Sequence, residues 1–393
     1  MLANLRAAPG GDGGRWRPGA FSAVFLLVAL HGFWTLAGPP SAGIKPWFAN
    51  LLIDGSHALA AILVLCVAFR YRGSRVGLGW GLVGVGLLFG LFADASWSYQ
   101  ELVLQREVPF PSVSDAGYIG AYIPVFIGLL VMPLAPVRGP ARLKLVLDTL
   151  ILMAALGVIS WSLVIGTALS HTGESALQMG LSVFYPLGDL GIIFAAFILV
   201  ARAGRSRAGL AFALLAVGYA AAALSDSAYM YAVEAGYEVG DVIDIGWVVS
   251  NALISIAALT RLGAGGPQRA PQEHAPAFWP SLLPYGAVIP LGALLLVESS
   301  SGDPSMLIAG GVIAVIALII LRQVLTIYEN VKLNGELASL TEMLEVRVKE
   351  KTMEVLRRSR PGGEVQATGE RPSGADEPVG GLGSISRPWR AGG

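Results

Sequence analysis

The sequence predicts an all-α fold: a polytopic transmembrane helical bundle of about ten spans, built as two parallel four-helix repeats plus two helices, with a C-terminal cytoplasmic coiled coil. Composition, span-length apolar windows and a repeated acidic pattern carry that prediction. The 393 residues are 54% hydrophobic and 14% charged, with a mean hydropathy of +0.64, too apolar for one soluble core to conceal. The lipid bilayer is therefore the first partner expected.

Windows with few charges, each long enough to cross about 30 Å of hydrocarbon as a helix, fall at 20–37, 49–69, 77–99, 115–135, 145–168, 182–202, 208–231, 241–260, 280–298 and 304–325. Basic residues mark alternate loops. Arg6, Arg15 and Arg17 precede the first window; Arg70, Arg72 and Arg75 follow the second; Arg138, Arg142 and Lys144 follow the fourth. Arg202, Arg205 and Arg207 follow the sixth, and Arg261 and Arg269 the eighth. Under the positive-inside rule both termini are cytoplasmic. A basic start followed by a short apolar run also fits a cleaved signal peptide over 1–37, but the arginine loop after the second window would then break the alternation.

Internal similarity sets the organisation. The segment 52–99 runs parallel to 187–231: Asp54 answers to Asp189, the "RGSR" turn to "GRSR", and Asp94 to Asp226, while beyond it Asp115 answers to Asp244. Four spans return the chain to its starting side, so the two units share a topology and form a parallel repeat. The expected divisions are a tail at 1–19, repeat one at 20–135, repeat two at 136–262 and a Pro/Gly-rich linker at 263–279. Two further spans at 280–325, a coiled-coil transmitter at 326–357 and a disordered tail at 358–393 complete the chain.

The acids carry the functional expectation. Asp115, Tyr118 and Tyr122 stand at i, i+3 and i+7, and Asp244, Trp247 and Asn251 repeat that spacing. The windows place Asp54, Asp115, Asp189 and Asp244 in first helical turns, with Ser114, Pro111 and Pro186 as helix-start residues. There the helix dipole favours an anion by about 0.3–1 kcal/mol, so capping competes with a binding role. Asp94 and Asp226 sit near helix carboxyl ends, where the dipole opposes them. Facing lipid at mid-span, such a group costs about 2.5–3.5 kcal/mol, so both are expected to face inward and find a donor, a proton or a cation. With Tyr229 beside Asp226, the candidate ligand site comprises Asp94, Asp115, Tyr118, Tyr122, Asp189, Asp226, Tyr229, Asp244, Trp247 and Asn251.

Other chemistry finds little footing. His31, Asp54 and His57 are candidate metal ligands, but no H-x-x-x-H or H-E-x-x-H spacing accompanies them. No phosphate-binding loop, nucleophile elbow or basic aromatic nucleic-acid surface is present, no cofactor is indicated, and the one cysteine, Cys66, lies inside a span. The glycine-rich stretch at 77–90 reads as small residues that let helices approach closely. After the last span, Leu333, Leu337, Leu340 and Leu344 step by 4, 3 and 4, with Val348 four further on. That seam is expected to form a parallel homodimer.

The "PSVSDAGY" start of the fourth span, "YPLGDL" at 185–190, "SDSAYMY" at 225–231 and the phrase "LEVRVKEKTMEV" together resemble the multispan input regions of bacterial diguanylate cyclases, cyclic-di-GMP phosphodiesterases and sensor histidine kinases. The resemblance covers about residues 20–357 and implies a sensor in the bacterial inner membrane driving a cytoplasmic output. No G-G-D-E-F or E-A-L motif is present and the coiled coil has no histidine, so no enzymatic activity is carried over. The output is expected to be lost or supplied by a separate cytoplasmic protein. A transporter or channel using intramembrane carboxylates is the alternative expectation, and an intramembrane metal hydrolase a third.

Overall fold

The computed structural model describes residues 16–37, 44–132, 139–166, 169, 175–203, 207–264, 286, 288–301 and 306–358. Ten α-helices run through them, and no strand occurs among the described residues. They are α1 (Trp16–Ala37), α2 (Lys45–Arg70), α3 (Arg75–Ser98), α4 (Val113–Val131) and α5 (Pro140–Ser160). The others are α6 (Ala176–Ala203), α7 (Arg207–Glu234), α8 (Asp244–Gly263), α9 (Val288–Ser301) and α10 (Met306–Arg358). Helices α3 and α5 each widen at the carboxyl end into a π-helical turn, Tyr99–Val103 and Trp161–Ile165.

Nine helices among the described residues are long and apolar enough to cross a membrane. The tenth expected span corresponds to α9, which has 14 residues. Most of the amino half of that window, like the 265–279 part of the linker and the tails at 1–15 and 359–393, lies outside the described residues.

Local chemistry fixes the helix starts, and two of them correct the windows. Helix α4 opens on a capping box: Ser112 N donates to Asp115 Oδ2 at 2.6 Å, and Ser112 rather than Ser114 is the cap. Ser74 caps α3 by accepting from Gly77 N at 3.1 Å. Helix α6 begins at Ala176, well before its window, because Ser175 and Gln178 form a reciprocal pair: Ser175 N donates to Gln178 Oε1 at 2.8 Å and Gln178 N to Ser175 Oγ at 3.3 Å. Pro186 therefore lies inside the helix, and Asp189 stands near its middle instead of its first turn. Asp54 is likewise displaced from a helix start, since α2 begins at Lys45 with proline in its first turn.

Six helices close into a ring. In order α2, α3, α4, α6, α7 and α8, each packs on the next, and α8 returns to α2. Most contacts recur in both halves: α2–α3–α4 matches α6–α7–α8, α4 against α6 matches α8 against α2, and α1 on α2 matches α5 on α6, while α1 also packs on α8 without a comparable contact of α5 on α4 among the described residues. Trp80, Leu129, Leu199, Leu215 and Ile254, all buried, belong to the core of this ring. The glycine stretch does what its composition suggested: a Cβ on Gly86 would lie 3.0 Å from the Ala121 carbonyl and 2.3 Å from Val125 Cγ2, so α3 and α4 meet nearly backbone to backbone.

Outside the ring, α5, α9 and the amino portion of α10 share a second apolar core of Ile151, Ala155, Val158, Leu291, Ile308 and Val315. Ion pairs close its polar end. Arg322 Nε donates to Asp148 Oδ1 at 2.8 Å, with both side chains nearly buried, and Lys144 pairs with Glu329. The chain divides into two units at Asn330. In the second, the described residues 331–358 are helical and exposed throughout, Leu333, Leu337, Leu340, Leu344 and Val348 included.

Candidate functional site

The repeated spacing resolves into two kinds of bond. Three residues after its leading aspartate, each motif reaches back to the acid on the preceding helix: Tyr118 OH donates to Asp94 Oδ1 at 2.8 Å and Trp247 Nε1 to Asp226 Oδ1 at 2.7 Å. Seven residues after it, each motif reaches across to the other half. Tyr122 OH donates to Asp189 Oδ1 on α6 at 2.8 Å, and Asn251 Nδ2 donates to Ser56 Oγ on α2 at 3.1 Å. One helical face thus binds its own repeat at the third residue and the neighbouring repeat at the seventh.

The leading aspartates begin their helices differently. Asp115 Oδ2 completes the capping box, while its Oδ1 accepts from Tyr185 OH of α6 at 2.6 Å. Tyr122 and Tyr185 therefore cross between α4 and α6 in opposite directions. Asp244 is fully buried and accepts from Gly240 N at 2.6 Å and Tyr237 OH at 2.8 Å. Tyr237 lies between two apolar helices, and burial first, then the Asp244 charge, push its phenol well above the usual range, so it remains a donor. Tyr229 makes no hydrogen bond to an acid among the described residues but packs its ring against Trp97, Tyr237 and Trp247, at centroid separations of 6.5, 5.0 and 5.6 Å.

Asp94 has a second partner within the chain, on its other oxygen. His57 Nδ1 lies 2.6 Å from Asp94 Oδ2, and the imidazole fits because position 90 is glycine: a Cβ there would sit 2.5 Å from His57 Cε1. Sequence spacing linked His57 to Asp54 as a metal candidate, but α3 delivers Asp94 to its ring instead. Asp54 Oδ2 accepts from Ser98 Oγ at 2.9 Å. His31 is fully buried on α1, with no hydrogen-bond partner on either ring nitrogen among the described residues. No group of three or more His, Cys, Asp or Glu among the described residues is placed to hold a metal ion.

Electrostatic proximity joins the acids into one cluster: Asp54 to Asp94, Asp94 to Asp226, and Asp226 to Asp189. Aromatic donors serve most of them, and His57 is the one basic side chain hydrogen-bonded to them among the described residues. Of the ten residues singled out from the sequence, all but Tyr229 form hydrogen bonds in this network. Tyr185, Tyr237, Ser56, Ser98 and His57 are its further side chains, and the pairing of Tyr185 could have been sought in its place one turn before Asp189 on the same helix.

Such a site defines a class: an all-helical bundle with several span-length apolar helices and a buried acid–aromatic network at the meeting of two similar halves. Comparison with family models, curated proteins and solved structures gives no match to the chain.

Proposed function

We propose that the protein is a multi-pass inner-membrane signal-transduction input protein, a sensor whose acid–aromatic network detects a proton or small cation and whose output travels through a dimeric coiled coil. Both termini are cytoplasmic in this proposal, the membrane is crossed about ten times, and the output partner is a separate cytoplasmic protein. The observation that supports it is the paired +3 and +7 bonding: the donors that satisfy Asp94 and Asp226 lie on the same helices that join the two halves. A charge change on an acid therefore alters the bonds that hold the halves in register, which is how a ligand biases packing. Helix α10 supports a signalling output, because its leucine seam has no use in transport.

The test is a cysteine at Leu340, in a Cys66→Ser background, crosslinked in membranes across a pH series. The parent should change its crosslinking with pH, Asp94→Asn should hold it constant, and Asp226→Asn should move the change to lower pH. If the variants fold and respond as the parent does, the sensing site lies elsewhere. Proton-coupled uptake by the parent in proteoliposomes would instead establish the transporter.

A further inference from the structure

We propose that Asp189 binds a proton on its Oδ2 and that this carboxyl is the proton-binding site of the network. The assignment of the site rests on geometry; its regulatory meaning rests on the sensor proposal above. Asp189 is 9% exposed. Its Oδ1 accepts from Tyr122, whereas its Oδ2 is buried with no hydrogen-bond partner among the described residues. A carboxylate leaves that oxygen desolvated and charged, while a carboxylic acid turns it into a donor and removes the charge.

The surroundings favour neutralisation by a proton. From α4, Tyr122 donates to Asp189, and from α7 the charge of Asp226 acts on it. Asp226 in turn accepts from Trp247 Nε1 of α8 and feels the charge of Asp94 on α3. His57 is engaged by Asp94.

A bare metal ion suits the place poorly. Calcium takes about 6–8 oxygen ligands that offer lone pairs, but Tyr118, Tyr122, Tyr185 and Trp247 point hydrogens at the acids. Tyr122 also fills the space beside the residue preceding Asp189: a Cβ on Gly188 would lie 2.7 Å from its ring.

The experiment is infrared difference spectroscopy of the full chain in lipid nanodiscs during a pH titration. At neutral pH the parent should show the C=O stretch of a protonated, hydrogen-bonded carboxylic acid, and Asp189→Asn should lose one carboxyl's worth of that intensity. Asp226→Asn removes the like charge, so the remaining band should titrate at lower pH. Tyr122→Phe should shift its frequency and also serves if Asp189→Asn does not fold. No titrating band in the parent, a band that survives Asp189→Asn, or one unmoved by Tyr122→Phe overturns the assignment; so does sodium binding at Asp189 at neutral pH. A band with these properties, alongside pH-independent crosslinking at Leu340, would keep the proton site and defeat the sensor proposal.

Discussion

Removing the charge of Arg322 should loosen α10 from α5 far more than removing both members of its ion pair. Arg322 Nε and Asp148 Oδ1 are 2.8 Å apart, and the side chains are only 8% and 13% exposed. Arg322→Met deletes the guanidinium but keeps much of the side-chain length, leaving a buried carboxylate without its bonded partner. Breaking one side of a buried pair costs about 3–5 kcal/mol. Lys144 still acts electrostatically on Asp148, which places the expected loss at the lower end, about 3 kcal/mol or roughly 150-fold in an opening equilibrium. The assay is alkylation of a cysteine at Val315, which is fully buried in the apolar core that α5 shares with α10, by a membrane-permeant maleimide. With Cys66 replaced by serine and reclosing fast, the labelling rate follows the open population. Arg322→Met should speed labelling by roughly 150-fold, and Arg322→Met with Asp148→Leu should return it close to the parent, since an apolar substitute for a buried pair is commonly neutral. A single variant that labels like the parent, or a double variant as fast as the single, would refute the reasoning.

Further outcomes can be checked separately. Cysteines at Val158 and Gly311 should form a disulfide, because an ideal Cβ at 311 lies 3.5 Å from Val158 Cβ; failure to oxidise would displace α10 from α5. Gly86→Ala should destabilise the ring by about 1–3 kcal/mol in a denaturation titration, whereas Gly157→Ala, with nothing within 4 Å of the added Cβ, should not. Leu340→Asp should abolish seam crosslinking by burying unpaired charge in a dimer, and equal crosslinking in the variant would mean that 331–358 does not form a coiled coil. Cysteine at Glu238 should react with an impermeant thiol reagent in intact cells and cysteine at Arg72 should not; the reverse pattern would invert the proposed topology.

Much of this architecture is legible in the sequence because a bilayer imposes length and polarity on each helix independently of its neighbours. Apolar windows anticipate nine span-length helices, and the glycine stretch anticipates the close contact of α3 with α4. Spacing also put Asp115, Tyr118 and Tyr122 on one face, since helical periodicity is a property of the chain alone. Where the windows erred, the missing signal was local: Ser175 with Gln178 starts α6, so Asp189 lies deep in a helix and not at its cap. Partner choice required the tertiary structure. His57 meets Asp94 and not Asp54, Tyr122 crosses to Asp189, and Arg322 finds Asp148, at separations of 37, 67 and 174 residues. Sequence specifies which face of a helix carries each group, but only the packing of helix on helix decides which face it meets and therefore which acid retains an unsatisfied oxygen.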